Sequence, residues 1–512
     1  MPKSICKVWG HLLSFSIFLF LPLIAMAQEA PEPSGILDKI DGFVGEYIVS
    51  YIAAVLFFPV PFIQLPLVLF VMVSGGLFFT FRYGFVNIRL FKHSIDVIKG
   101  KFDNPKDKGE ITHFQALTSA LSATVGLGNI AGVAVAIQLG GPGAVLWLWV
   151  VAFFGMSMKF SSCTFSQLYR QFDSEGKVLG GPMVYLSKGF SEFGLPGLGK
   201  FLGALFAVLC IFGSFGGGNL FQANQTYELL AGQIPSLRGD VMALIVGIVL
   251  AFFAGIVLIG GIKRIATVTS KMVPAMTVFY VTSCLIIIVG NYERIPEMLA
   301  SIFSQAFNPE AIYTGGFLGV LIQGVKRASF SNEAGVGSAA IAHAAAKTDE
   351  PVREGAVAMI GPFIDTHLIC TMTSLAILIT GAHLDPDLAG KGALITAKAF
   401  ASIHEVFPIL LTIASAVFAY STIISWSYYG ERAWEYLFRN PKSVVYYKLI
   451  YIFIIIAGPI ISLRNVIDFS DLMILAMAFP NIIGMMFLSK KIVPMIKDYI
   501  ARLQTGEMKT YK

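Results

Sequence analysis

The residues whose types could do chemistry lie in a glycine-rich stretch at 122–129, with the sequence Ser-Ala-Thr-Val-Gly-Leu-Gly-Asn. This stretch interrupts an apolar segment that is long enough to cross a bilayer. Glycine lets a helix unwind, and an unwound turn at mid-membrane is tolerated only where it lines a cavity in the protein. The freed N–H groups of such a turn can hold a carboxylate, and its carbonyl oxygens can hold a cation. A kink that serves only helix packing is the alternative interpretation.

A second break of the same kind follows about 200 residues later, at 329–337, with the sequence Ser-Phe-Ser-Asn-Glu-Ala-Gly-Val-Gly. Two breaks separated by half of the chain are typical of secondary transporters that are built from inverted repeats. In those proteins the binding site lies between the two discontinuous helices.

The elements that position these breaks must be membrane-spanning helices. Of the 512 residues, 56% are hydrophobic and only 13% are charged, whereas a soluble domain has about 25% charged residues. The five cysteines have no disulfide or metal-site spacing. The sequence has no Walker loop, so ATP is not expected to drive the protein directly. We therefore expect an all-α polytopic membrane protein with about eleven spans.

The start of the chain has the features of a secretory signal peptide, with Lys3 and Lys7 before an apolar run and Ala-Met-Ala before Gln28. An uncleaved first helix is the alternative. The remaining boundaries follow from the apolar runs. We expect a signal peptide (1–27), a linker and interfacial helix (28–62), an extra transmembrane helix (63–82), a first five-helix repeat (113–290), a second five-helix repeat (314–489) and a tail (490–512).

The distribution of lysine and arginine predicts the orientation. With the loop at 82–112 placed inside, 26 lysines and arginines fall on the inner side and six on the outer side. The positive-inside rule favours this arrangement. It puts the mature N-terminus outside and the C-terminus in the cytoplasm, in the inner membrane of a bacterium.

Several long motifs are similar to those of one transporter family. The first is Ala-Thr-Val-Gly-Leu-Gly-Asn-Ile-Ala-Gly-Val at 123–133. The others lie at 140–145, 180–183, 260–265, 330–335, 363–366 and 425–431. At these motifs the chain, from about residue 60 to 490, resembles the alanine or glycine:cation symporters, whose fold resembles that of the leucine transporter.

This resemblance implies sodium-driven import of alanine and glycine by alternating access. Proton coupling or a preference for glutamine is the alternative, and a channel is a more distant one. Sodium is the implied coupling ion, with no organic cofactor. The implied partners are a small neutral amino acid and the lipid bilayer, with no nucleic acid and no obligatory protein partner.

The resemblance also implies the site residues, which lie on the predicted spans 1 (113–139), 3 (199–231), 6 (314–346) and 8 (404–431). The substrate pocket is expected to contain Thr124, Gly126, Leu127, Gly128, Gln222, Phe330, Thr422 and Trp426. The sodium ligands are expected to be the carbonyls of Ser122 and Val125 and the hydroxyls of Ser421 and Thr422. From the residues alone, the hydroxyls could instead bond back to their own helix, and the aromatic rings could be ordinary packing.

Ionisable residues inside spans are candidates for function. Lys326, Arg327, Glu333 and Asp365 are candidates for gating or for a structural role, and Lys159 is a candidate helix brace. His343 is expected at a solvated helix end.

The chain departs from the family pattern at three positions. These are Leu127 in place of threonine, Ser162 in place of a glutamate, and His367 in place of an aliphatic residue.

Overall fold

The structure is a computed structural model that describes residues 50–173, 176–307, 317–461 and 463–511. The predicted signal peptide (1–27) and residues 28–49 of the predicted linker lie outside these ranges. The described residues are predominantly helical. This follows from their long apolar runs, because a helix bonds all of its backbone polar groups within itself.

The α-helices are numbered in chain order. They are α1 (Ser50–Leu56), α2 (Leu67–Arg82), α3 (Val86–Arg89), α4 (Phe91–Ile98), α5 (His113–Thr124), α6 (Val133–Gly140), α7 (Ala144–Tyr169), α8 (Pro182–Glu192), α9 (Pro196–Phe215), α10 (Phe221–Gln233), α11 (Asp240–Leu258), α12 (Gly261–Gly290), α13 (Ile295–Phe307), α14 (Phe317–Asn332), α15 (Ala339–His343), α16 (Pro351–Ala358), α17 (Ile360–Pro362), α18 (Thr371–Thr380), α19 (Gly392–Ala401), α20 (Phe407–Phe438), α21 (Val444–Ala457), α22 (Leu463–Leu488) and α23 (Ile492–Thr505).

Three π-helical turns interrupt the longer helices, and each contains or adjoins residues singled out from the sequence. They are π1 (Gly128–Gly132), π2 (Gly216–Leu220) and π3 (Phe363–Cys370). Short 3₁₀ turns lie at Pro235–Leu237, Tyr292–Arg294, Ala382–Leu384, Pro386–Leu388, Pro441–Ser443 and Ser489–Lys491. A small antiparallel hairpin pairs β1 (Gln171–Phe172) with β2 (Val178–Leu179).

Within the described residues, seven helical segments are long and apolar enough to cross a membrane. They are Ala144–Tyr169, Pro196–Gln233, Asp240–Leu258, Gly261–Gly290, Pro351–Thr380, Phe407–Phe438 and Val466–Thr505. The bent pair formed by α5 and π1–α6 is an eighth. The shorter helices α2, α14 and α21 occupy the other positions where the sequence predicted spans.

Four of the described helices lie where the sequence predicted none. Helices α3 and α4 lie in the predicted loop at 82–112, α13 follows α12 in another predicted loop, and α23 lies in the predicted tail. Helix α23 buries Ile492, Ile496, Tyr499 and Ile500. These residues recur every three or four positions and form one apolar face. The helix is half polar, so a search for long apolar runs does not find it.

The site is positioned by four spans. The broken spans 1 (α5, π1, α6) and 6 (α14, α15) pack against the long helices α7 and α20. The interrupted span 3 (α9, π2, α10) packs against α20 and α22. The predicted span at 314–346 is two helices, because the chain leaves helical geometry between Asn332 and Ala339.

Candidate binding site at the two helix breaks

The first break lies between Thr124, the last residue of α5, and Gly128, the first residue of π1, and the two halves of the span meet at 53°. Both glycines of the break touch other spans. A Cβ atom on Gly126 would lie 2.6 Å from Oγ1 of Thr422, and one on Gly128 would lie 2.9 Å from the ring of Phe330. Only glycine lets the backbone approach spans 6 and 8 this closely.

Two of the four predicted ion ligands, the Ser122 carbonyl and the Thr422 hydroxyl, meet at this break. The Thr422 hydroxyl donates to the carbonyl of Ser122 at 2.9 Å, and the Ser122 hydroxyl donates to the carbonyl of Ser421 at 2.7 Å. All three residues are buried. The Ser421 hydroxyl, in contrast, donates to the carbonyl of Phe418 on its own helix, which is the local alternative left open by the sequence.

Two other predicted residues of the break make local bonds. The Thr124 hydroxyl donates to the carbonyl of Leu121 at 3.3 Å, and the Val125 N–H donates to the same carbonyl at 2.6 Å. These bonds hold the end of α5.

The N–H groups of the break are met by neutral amide oxygens. Leu127 N–H donates to Oε1 of Gln222 at 3.2 Å, and the Gln222 amide donates in turn to the carbonyl of Gly217 at 2.9 Å. Gly126 N–H donates to Oδ1 of Asn129 at 3.3 Å. The structure therefore brings Gln222 of span 3 into direct contact with the break. A carboxylate would be a stronger acceptor for the same N–H groups than these amides.

The two predicted aromatic residues pack against the interrupted part of span 3. A Cβ atom on Gly217 would lie 3.4 Å from the Phe330 ring, and one on Gly218 would overlap Cβ of Trp426. Trp426 is 1% exposed and Phe330 is 8% exposed. Sequence reasoning missed π2 as a wall of this site, although its three consecutive glycines (Gly216 to Gly218) were the available signal.

The second break is held by charged groups. Helix α14 ends at Asn332, and Glu333 adopts a left-handed conformation with φ of 54°. The Ser338 hydroxyl donates to the Glu333 carboxylate, and the Lys159 ammonium donates to the carbonyl of Asn332 at 3.0 Å. Lys159 is 1% exposed and Glu333 is 3% exposed. A cation is favoured here because the C-terminal end of a helix carries a partial negative charge.

Asp365 lies on π3 and is hydrogen-bonded to residues of both breaks. Its Oδ1 atom accepts bonds from the hydroxyls of Ser331 and Thr366. Its Oδ2 atom is buried and has no hydrogen-bond partner among the described residues. The side-chain amide of Asn129 donates to the Ser331 hydroxyl at 3.3 Å and to the Asp365 carbonyl at 3.4 Å. Asn129 therefore links the first break to the second, a role that its place in the glycine-rich stretch did not indicate.

Arg327 forms a buried, two-pronged ion pair with Asp471 of α22, at 2.7 and 3.3 Å. Its guanidinium also lies 5.8 Å from the centre of the Phe330 ring. Its neighbour Lys326 points elsewhere, with Nζ 4.5 Å from the centre of the Phe57 ring. Asp471 was not predicted, because its partner is distant in the sequence.

Three further expectations concern single residues. His343 was expected at a solvated helix end, but it is 0% exposed because α15 is packed against α5 and α7, so that expectation was wrong. The Ser162 hydroxyl donates to the carbonyl of Lys159 at 3.1 Å. The His367 ring stacks on Phe363 with centroids 5.8 Å apart.

A cavity of about 320 Å³ lies between the ends of α12, α20 and α21. Its charged lining includes Glu431, which pairs with Arg432 at 2.8 Å and with Lys448 at 3.1 Å. Glu431 follows Trp426 on α20 by little more than one helical turn. By the predicted orientation, this cavity opens on the cytoplasmic side.

Comparison with protein families gives one match that covers most of the chain. Residues 50–512 match the model of the sodium:alanine symporter family. The chain is 42% identical to the sodium/alanine symporter AgcS of Methanococcus maripaludis, over 86% of this chain and 95% of that protein. It is 34% identical to a probable sodium/glutamine symporter, GlnT, of Bacillus subtilis, over 86% of this chain and 89% of that protein. These matches confirm the family predicted from the motifs.

Two solved structures have a similar fold. MhsT in complex with L-phenylalanine matches with a TM-score of 0.53 and 14% identity, over 74% of this chain and 98% of that one. A manganese transporter from Eremococcus coleocola matches with a TM-score of 0.51 and 14% identity, over 74% of this chain and 82% of that one. They confirm a polytopic, all-helical membrane protein with a leucine-transporter-like fold.

Proposed function

The chain belongs to the sodium:alanine symporter family, and from this premise we propose that it imports alanine and glycine together with sodium across the bacterial inner membrane. The observation that carries the proposal is the contact between the Ser122 carbonyl and the Thr422 hydroxyl, 2.9 Å apart. Two oxygen donors from different spans meet there, beside glycines that leave the backbone accessible. Hard oxygen donors of this kind suit a hard cation.

The ion site is proposed to consist of the carbonyls of Ser122 and Val125 and the hydroxyls of Ser421 and Thr422. Binding of sodium would replace the bond from Thr422 to Ser122 with two bonds from oxygen to the ion. The Ser421 oxygen keeps a lone pair while its hydrogen bonds to Phe418, so it can still be a ligand. Because spans 1 and 8 both contribute, the ion would fix their distance.

The amino acid is proposed to bind at the same break. Its carboxylate would take the N–H groups of Gly126, Leu127 and Gly128, in place of the amide oxygens that accept from two of them now. Thr124 and Gln222 complete the polar part of the pocket. The neutral lining of the first break supports this placement, because no side-chain charge there would repel either end of a zwitterion or the accompanying cation.

The substrate side chain is proposed to point towards Phe330 and Trp426, which would leave room only for a small group. Leu127 is completely buried, and this residue, in place of the threonine usual in the family, would further limit the space if the substrate side chain lay beside it. The pocket would thus favour alanine and glycine over longer amino acids.

The wider architecture is proposed to follow the same scheme. Residues 113–290 and 314–489 would form two inverted repeats, with the N-terminus outside after cleavage of the leader. The pair Arg327–Asp471 would close the site on the outer side, and Glu333 and Asp365 would keep the second break in shape. The cytoplasmic cavity beside Glu431 would be the exit path.

The test is uptake of labelled alanine by proteoliposomes, with an inward sodium gradient and without one. We expect concentrative uptake with the gradient, and competition by glycine more strongly than by glutamine. Uptake that does not respond to sodium would refute the coupling.

A glutamine-preferring carrier is the second candidate, because a relative with 34% identity is described as a probable sodium/glutamine symporter. Stronger competition by glutamine than by glycine would favour it. A response to a proton gradient in place of sodium would favour proton coupling.

A further inference from the structure

Three ionisable residues outside the proposed binding site meet at the ends of three spans. His113 is the first residue of α5, His343 is the last residue of α15, and Glu354 lies in the first turn of α16. All three are at most 1% exposed. The predicted orientation puts them on the cytoplasmic side. We call this cluster the His–Glu–His bridge.

The Glu354 carboxylate joins the two histidines. Its Oε2 atom bonds Nδ1 of His113, and its Oε1 atom lies 2.5 Å from Nδ1 of His343. Since a carboxylate accepts, Nδ1–H is the donor in each ring. The Nε2 atoms of both rings are buried and have no hydrogen-bond partner among the described residues. Each ring can therefore take up one more proton without breaking its bond to Glu354.

The bridge connects the inner halves of the two broken helices. Span 6 is also tied to α7 at this end, because Gln167 donates to the carbonyl of His343 at 2.5 Å and Arg170 donates to the carbonyl of Ala344 at 2.9 Å. The charges of the Gln167 amide and the Arg170 guanidinium do not change in the physiological pH range. The bonds to Glu354 differ, because histidine changes its charge between pH 5 and 8.

The other charged and titratable groups around the bridge are few. Oδ1 of Asp103 lies 4.0 Å from Nε2 of His113. Arg170 and Cys163, both on the α7 side, interact electrostatically with Glu354. Arg353 is turned away towards Asp107, at 3.9 Å. His113 therefore faces two carboxylates, those of Glu354 and Asp103.

We propose that Glu354 is a positioning residue that holds the inner halves of spans 1 and 6 together, and that protonation of His113 or His343 strengthens its hold. This inference rests on the proposed function, because alternating access requires these halves to separate when the inner side opens. The bond from a neutral imidazole to the Glu354 carboxylate is already charge-assisted, and a proton on the ring adds the attraction between two opposite charges at hydrogen-bond distance. A more acidic cytoplasm would therefore slow the opening of the inner side and slow transport.

The test measures sodium-driven alanine uptake into proteoliposomes with protein of a single orientation, while the pH on the cytoplasmic face is lowered from 8 to 6. We expect the wild-type rate to fall roughly three- to tenfold, because the attraction between opposite charges is added to one hydrogen bond. The double variant His113→Gln/His343→Gln should lose this slope. His404→Gln changes an exposed histidine away from the bridge, and it should keep the wild-type slope.

Hydrogen exchange of 339–343 and 351–358 gives a second measurement that does not depend on transport. After correction for the intrinsic effect of pH, the wild type should gain protection between pH 8 and 6, and the double variant should not. A wild-type slope retained by a folded double variant in both measurements would overturn the proposal. If the wild type shows no sodium-driven uptake but the protection depends on the two histidines, the transport proposal fails and the bridge stands.

Discussion

The two broken helices are alike in sequence position but differ in what surrounds them. At the first break, the polar groups are met by neutral partners: Gln222, Asn129 and the Thr422 hydroxyl. At the second break, they are met by an ammonium and a carboxylate, Lys159 and Glu333. The first break thus has uncharged hydrogen-bond partners, whereas the second break already contains charged side chains.

This difference suggests separate roles: the first break binds substrate and sodium, and the second break stabilises the fold. A zwitterion and a cation bring charges that a neutral pocket can accept, whereas a break already neutralised by buried side chains gains little from them. The comparison predicts that changes at the second break act on stability, and that changes at the first break act on substrate and sodium.

The largest effect is expected for Lys159→Met, which removes the ammonium but keeps most of its length. The carbonyl of Asn332 loses its partner, and Glu333 and Asp365 remain buried without the nearby cation. Breaking such a buried arrangement typically destabilises by about 3–5 kcal/mol. The measurement is the melting temperature of the purified protein in detergent.

Lys326→Met is the matched control, because this lysine is only partly buried and contacts a ring. We expect a loss of about 0.5–1 kcal/mol there. If Lys159→Met melted like the wild type and changed only the response to sodium, the second break would take part in sodium binding. The proposed difference between the two breaks would then be wrong.

The next largest effect is expected for Gly126→Ala. The added methyl group would lie 2.6 Å from Oγ1 of Thr422 and 3.1 Å from Oε1 of Gln222, where ion and substrate are proposed to meet. Overpacking of this kind costs about 1–3 kcal/mol, so the protein should still fold while uptake is lost.

Gly197→Ala is the control for this change, because a Cβ atom there meets open space. It should transport alanine like the wild type. Normal alanine kinetics in Gly126→Ala would show that the first break does not contain the site.

The sequence predicted the parts of this picture that depend on local composition. Glycines in an apolar run identified both breaks, and the resemblance to the family implied that Gln222, Thr422 and Trp426 belong to the same site. The partners of the buried charges could not be predicted in this way. Arg327 pairs with Asp471, 144 residues further along, and only the packing of α14 on α22 brings the two together.

The burial of His343 could not be predicted from the local sequence either. A histidine near a predicted helix end is usually solvated, and no local signal marks Glu354 as its partner. Burial of His343 follows from the alanine-rich packing of α15 against α5 and α7, which is a property of the assembled fold.

A smaller effect is expected for Gln222→Leu, which removes the side-chain amide that is proposed to form a hydrogen bond with the bound amino acid. One hydrogen bond of this kind contributes about 1 kcal/mol, so alanine affinity should fall roughly fivefold with little change in melting temperature. Competition binding with labelled alanine measures it. An unchanged affinity would mean that Gln222 supports only span 3.

The central claim is that sodium and substrate meet at the first break, and the most direct test is the sodium dependence of alanine binding in Thr422→Val. Valine keeps the shape of threonine but lacks the hydroxyl that faces the Ser122 carbonyl. Ser427→Ala is the control on the same helix, because that hydroxyl bonds back to Ile424. We predict that Thr422→Val needs at least roughly tenfold more sodium for half-maximal binding, equivalent to about 1.4 kcal/mol, while Ser427→Ala matches the wild type. A wild-type sodium response in a folded Thr422→Val variant would contradict the account.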